Sequence, residues 1–208
     1  MKKINILLLG MLLMPFLVNA QKRHLQKSFY QSKNLLTIAK TKLDTSMTRG
    51  VSYSAFKLSV KEFDDKNKSL LDSVWLLWKN KKWSELEKLF DIKKLNKRRP
   101  PNFGFVSQEI IKLDTGTIIS RFRYSDSNCY DSPDLGDFVA PEGVSFEQRS
   151  ITNNKYQYIV YKVNKPIDSV KKGPAIPWYG KVGLGIQYKL KKDIESLRKD
   201  TSLVEIKQ

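Results

Sequence analysis

"GTIISRFRY", Gly116–Tyr124, alternates in a way that only a strand can use. Ile118, Phe122 and Tyr124 fall on one face, and Ile119, Arg121 and Arg123 on the other. Two later stretches carry the same period, "KYQYIVYKV" at 155–163 and "GIQYKL" at 185–190. "DIESLRKD" then reads as a short helix capped by Asp193, and "SLVEI" as a closing strand. Residues 96–208 therefore read as a compact α+β domain, strand-dominated and mainly antiparallel.

Upstream the period changes. "NKSLLDSVWLLWKN" sets Leu70, Leu71, Val74, Leu77 and Trp78 on one helical face. "WSELEKLF" offers Ser84 as an N-cap with Glu87 three residues on, a capping box. Trp75, Trp78 and Trp83 read as core or docking residues. Residues 21–95 form a helical N-terminal region. "NKRRPPNFGF" ends it, because two consecutive prolines cannot continue a helix. The boundary near "NKRRPPN" suggests that the part from about 95 onward folds alone.

The start, "MKKINILLLGMLLMPFLVNA", has a basic opening, an apolar run and a small-residue ending, the pattern of a signal peptide at 1–20. The apolar run is short for a membrane span. The expectation is a secreted or periplasmic protein with no stable membrane insertion. The chain of 208 residues carries a formal charge of +17. Lys2 and Lys3 are the only charged residues of the leader, so +15 remains after cleavage. Such a charge favours acidic partners, whether nucleic acid, an anionic surface or a phosphate-bearing small molecule.

Cys129 is the single cysteine and His24 the single histidine. Intramolecular disulfides, Ser-His or Cys-His nucleophile pairs inside the fold, and His/Cys zinc sites are thereby excluded. What remains as chemistry is a set of polar side chains among apolar neighbours. Arg121 lies in a strand, Arg149 follows the turn "APEGVS", and Gln187 sits in "AIPWYGKVGLGIQYKL", which holds Gly180, Gly183 and Gly185. Two guanidinium forks suit phosphate oxygens. Glycines such as Gly185 admit close backbone approach. Phe122, Trp178 and Tyr179 are candidates to stack on a planar ring, and Gln187 to hold an amide, hydroxyl or water.

Five blocks occur in order: "RRPPNFGF", "LDTGTIISRF", "GDFVAPEGVSFEQRS", "YIVYKVNKPI" and "GPAIPWYGKVGLGIQYKL". Together they resemble the tuberculosis necrotizing toxin (TNT) domain, a family of secreted NAD glycohydrolases, from about Lys97 to Ile206. The resemblance implies hydrolysis of NAD, with NADP as a second candidate substrate, to nicotinamide and ADP-ribose. It implies no metal and no cofactor beyond the substrate. It puts the family's strand arginine on Arg121, its Gln-Arg arginine on Arg149 and its catalytic glutamine on Gln187. A toxin role and an immunity protein as partner follow from the same likeness. Three positions depart from the pattern. Ser120 stands where the family has an acid, Arg123 where it has a glycine, and no histidine lies near "KYQYIVYKV", where Gln157 is the nearest polar candidate. Two other classes compete: a catalytically inactive basic protein that binds an anionic surface or, less favoured, nucleic acid, and an ADP-ribosyltransferase.

Overall fold

A computed structural model of the chain describes residues 47–60, 63, 65–124, 135–152 and 156–206. The stretch expected to be a signal peptide, residues 21–46 with His24, and Cys129 lie outside the described residues. From Thr45 onward the chain is one compact unit.

Among the described residues this unit has four α-helices and seven strands: α1 (Tyr53–Leu58), α2 (Leu71–Lys79), α3 (Trp83–Lys93), β1 (Glu109–Leu113), β2 (Ile118–Tyr124), β3 (Phe138–Pro141), β4 (Tyr156–Val163), β5 (Ile167–Pro174), β6 (Ile186–Lys189), α4 (Ile194–Lys199) and β7 (Leu203–Ile206). The strands form a single sheet in the order β1-β5-β6-β3-β2-β4-β7, with every pairing antiparallel. Its core unites Ile119, Val139, Ile159, Tyr161 and Val170 from the sheet with Ile194 and Leu197 from α4. The alternation read from "GTIISRFRY" holds, for Ile119 is fully buried in that core. Asp193 caps α4 as expected, its carboxylate accepting from the Ser196 N–H at 2.7 Å. β1, β3 and β5 lack the strong alternation that reveals β2 and β4.

The expected capping box is absent. Helix α3 begins two residues earlier than a Ser84 cap implies, at Trp83, with Lys82 as its N-cap and no side-chain cap. Ser84 is thus already helical, and Glu87 has another task. Its carboxylate accepts the backbone N–H of Tyr179 at 2.5 Å.

α2 buries Val74, Trp75, Leu77 and Trp78, the face expected of it. Trp75 and Trp78 stack at 5.3 Å between centroids, and Phe56 packs on both. Arg49 locks this cluster to the sheet. Its Nε donates to Val106 O at 2.7 Å, its Nη1 and Nη2 donate to Lys79 O and Trp78 O at 2.8 Å, and its guanidinium lies 4.2 Å from the Trp78 ring. Those donations also satisfy carbonyls at the C-terminus of α2 that the helix itself leaves without partners.

The boundary at 95/96 marks a change of element type, yet packing runs straight across it. Trp78 Nε1 donates to Phe105 O at 3.0 Å, Trp178 Nε1 donates to Arg98 O at 3.0 Å, and Phe90 meets Trp178 edge-to-face at 5.4 Å. A fragment of residues 96–208 would expose Trp178 and take the Trp78 donor from Phe105 O, which would keep only Asn102 Nδ2 at 2.8 Å. We expect that fragment to show no cooperative thermal melt by near-UV circular dichroism. A sharp transition like that of the full chain would prove the strand-rich part autonomous.

Candidate functional site

β3 pairs with two neighbours along only four residues. Phe138 and Val139 pair with Lys189 and Tyr188 of β6, while Ala140 and Pro141 pair with Ser120 and Ile119 of β2. Continuing the β2 register would set Arg121 opposite Val139 and Phe122 opposite Phe138, but those pairs do not form. The strands splay there, and a cavity of ≈ 240 Å³ opens in the gap, lined by Arg121, Phe122, Phe138, Val139, Arg149, Ile151 and Gln187, with Gly136 at its edge. The cavity is thus a direct product of β3 changing partners.

Arg121 stands on the same face of β2 as core residue Ile119, one pleat further on, where the core gives way to the cavity. Its Nη1 donates to Gly136 O at 3.1 Å. A Cβ at position 136 would lie 2.7 Å from Arg121 Nη2, so a larger residue there would push this guanidinium aside.

Arg149 reaches the cavity from the other face of β2. It ends a single 3-10 turn, Glu147–Arg149, and is only 7 % exposed. Its Nε donates to Val144 O at 2.8 Å, its Nη1 to Ser120 O at 2.8 Å and its Nη2 to Ser120 Oγ at 2.7 Å. The guanidinium also lies 4.8 Å from the Phe122 ring and 5.8 Å from that of Tyr158. Burial pulls its pKa down to about 10, with Tyr158 opposing the shift, so it is charged at neutral pH. No carboxylate among the described residues pairs with it. Ser120, where the resemblance expects an acid, supplies a hydroxyl instead of a counter-charge. A buried cation held by dipoles alone keeps its field for an incoming anion.

Gln187 donates through Nε2 to Gly104 O at 2.9 Å. This bond fixes the amide and leaves Oε1 as an acceptor on the cavity wall. Lys171 and Lys189 are cross-strand partners nearby. Lys189 pairs with Asp137, and the pKa of Lys171 is lowered by burial and then by Lys189. The rim is therefore basic.

The structure brings Arg121, Phe122, Arg149 and Gln187 to one cavity. It does not bring Trp178, Tyr179 or Gly185 there. Trp178 is 1 % exposed, wedged against Phe90 in the core, and has no face to offer a ligand. Tyr179 lines an adjoining cleft. Gly185 is a packing glycine: its N–H donates to Gln148 O at 3.0 Å, and a Cβ there would meet Val144 Cγ1 at 2.6 Å and Gln148 O at 2.8 Å. Gly183 likewise sits at φ +62° against the Pro177 backbone. Gly183 and Gly185 tie this segment to the turn that bears Arg149, their N–H groups donating to Glu147 O at 3.1 Å and Gln148 O at 3.0 Å, while Gly180 stands in open space. Gln157 is exposed and accepts from Arg123 Nη2 at 3.0 Å, outside the cavity.

Sequence reasoning missed Gly104, Gly136, Phe138 and Ile151, and singled out Ser120 only as a departure from the family pattern. The glycine in "NFGF" was the one visible hint among them, and its partner Gln187 is 83 residues away. Among the described residues no group of three or more His, Cys, Asp and Glu could hold a metal ion, and no helix is long and apolar enough to cross a membrane.

No curated protein matches the chain. Among solved structures, tuberculosis necrotizing toxin in complex with its immunity factor is similar at 20 % identity and a TM-score of 0.41, with 51 % of this chain covering 60 % of that one. Rhs1-CT in complex with its cognate immunity protein RhsI1 is similar at 19 % identity and a TM-score of 0.34, covering 49 % and 79 %. Tse6 in complex with Tsi6 is similar at 13 % identity and a TM-score of 0.34, covering 63 % and 97 %. A family model described as tuberculosis necrotizing toxin matches residues 112–206, the stretch that supplies both arginines and the glutamine. Over those residues the chain is similar to the tuberculosis necrotizing toxin domain family.

Proposed function

We propose that this protein is an exported NAD glycohydrolase acting as an antagonistic toxin. The observation that carries the reading is the convergence of Arg121, Arg149 and Gln187 on one cavity where β2 and β3 splay. The family match supports it.

The chemistry asks little of acid–base groups. In NAD the nicotinamide nitrogen is already cationic. When the C1′–N bond breaks, its electron pair neutralises that nitrogen, and nicotinamide leaves without protonation. The ribose left behind is oxocarbenium-like. Water adds at C1′, loses a proton to solvent, and yields ADP-ribose. Catalysis is then positioning and electrostatics. Arg121 and Arg149 hold the pyrophosphate, each with part of its fork tied to the protein so that its direction is set. Gln187, fixed by Gly104 O, presents Oε1 to a ribose hydroxyl or to the attacking water. A producer of such an enzyme must guard its own NAD, and a cognate immunity protein is the partner we propose.

Incubating purified residues 21–208 with NAD and separating the products by chromatography tests this. Equimolar nicotinamide and ADP-ribose are expected, with a parallel NADP arm to rank the two substrates. Absence of nicotinamide from both arms would overturn the reading.

A further inference from the structure

A cavity of ≈ 240 Å³ falls short of the roughly 300–1,000 Å³ that small-molecule sites usually provide. A dinucleotide, two nucleosides joined by a pyrophosphate, needs more room than that. Phe138 and Ile151 are shared with a neighbouring cleft of ≈ 530 Å³. The cleft's other walls come from Tyr179, from Ser150 and Thr152, and from residues 96–103. We infer that this cleft is a second subsite that takes the purine nucleoside half of the dinucleotide. The choice of ligand rests on the glycohydrolase reading; the site itself does not.

Three features of the cleft fit a purine nucleoside. Aromatic rings line it, and two of them are unusually open for their size, Phe103 at 40 % and Phe138 at 36 % exposure. Lys171 and Lys189 hold their Nζ atoms 4.9 and 5.5 Å from the Phe103 ring, so a base stacked there would carry its phosphates beside cations. Polar points are set into this wall. Asn96 is only 7 % exposed, and its Nδ2 is committed to Arg99 O at 3.1 Å, which leaves Oδ1 as an acceptor suited to an exocyclic amine. The Ser150 hydroxyl, beside Arg149, is buried without a hydrogen-bond partner among the described residues.

The backbone adds a third feature. Lys94, Asn96, Lys97, Arg98, Asn102 and Phe103 all have φ between +48° and +63°. Such a run of left-handed non-glycine residues persists only where surrounding contacts enforce it, and it is commonest at ligand sites. The contacts here are known: Asn96 to Arg99 O, Trp178 to Arg98 O, and Asn102 N to Ser59 Oγ at 2.7 Å. This segment precedes residue 112, so one wall of the subsite is built by chain outside the family match and the facing wall by chain within it.

Calorimetric titration of residues 21–208 with ADP-ribose, which carries the adenosine half and both phosphates but cannot be cleaved further, tests the assignment. Phe103→Ala removes one ring without touching the core. It is expected to weaken ADP-ribose binding about tenfold, the loss of one base–aromatic stack, with an unchanged melting temperature. Thr152→Trp, which puts an indole into the cleft, should weaken it at least as much. Equal affinity in the parent and both variants, or no binding to the parent, overturns the subsite. NAD turnover measured on the same samples keeps the two readings apart. Nicotinamide release with variant-insensitive binding sinks the subsite alone. Variant-sensitive binding without nicotinamide release upholds the subsite and sinks the hydrolase.

Discussion

Gln187→Ala is expected to lower kcat by roughly 10²–10³, the usual cost of losing one directed group in a preorganised site, while NAD affinity stays near that of the parent. The reasoning is differential. The amide meets the ribose or water, whose charge changes between ground and transition state, so its removal costs more at the barrier than in binding. The fold should hardly notice. Gln187 is half-buried in a short strand, and the bond it loses to Gly104 O is worth about 1 kcal/mol. Melting temperature, NAD affinity and turnover on one sample separate the outcomes. A variant that melts like the parent and turns over NAD at the parental rate would remove Gln187 from the site.

Arg149→Ala should behave differently, because Arg149 belongs to the fold as well as to the site. Its loss takes the side-chain donor from Ser120 O and Val144 O, leaves Ser120 Oγ with only its bond to Pro141 O, and empties a buried volume over Phe122. Hydrogen bonds to charged groups are worth about 1.5–3 kcal/mol each, although three on one side chain are not additive. A net destabilisation of about 3 kcal/mol corresponds to a fall of roughly 6–12 °C in melting temperature at this chain length. Below that temperature kcat/KM should still drop by about 2–4 kcal/mol, from the lost pyrophosphate charge. Arg149→Lys should recover part of the activity and less of the stability, since an ammonium cannot reach Ser120 and Val144 together. Arg121→Ala is the contrasting variant, expected to lose activity with little change in melting. If Arg149→Ala keeps parental turnover after refolding is verified, the arginine is a strut and nothing more.

Those two side chains show what could be read from the sequence. Arg121 and Gln187 each sit in a stretch whose period is unmistakable, so both strand and side chain were visible. Asp193 and the apolar face of α2 were legible for the same reason, since caps and periodicity are local. Trp178 was misread because nothing local tells a core indole from a stacking one. Phe90, which decides the matter, is 88 positions away. The capping box failed in a similar way: Glu87 has the right spacing, but a backbone N–H from Tyr179 competes for it and wins. Phe138 and Ile151 were invisible because the cavity arises from β3 changing partners, and no residue type announces that.

The contact between Gly185 and Gln148 reaches beyond packing. It ties the start of the Gln187 strand to the turn that ends in Arg149, with backbone atoms so close that no side chain fits between them. Any mutation that widens this seam moves both groups together. A laboratory lineage selected for a new substrate could not retune them separately by drifting at position 185. It would have to change the walls at Phe138, Val139 or Ile151, where single side chains can be exchanged while the seam stays shut.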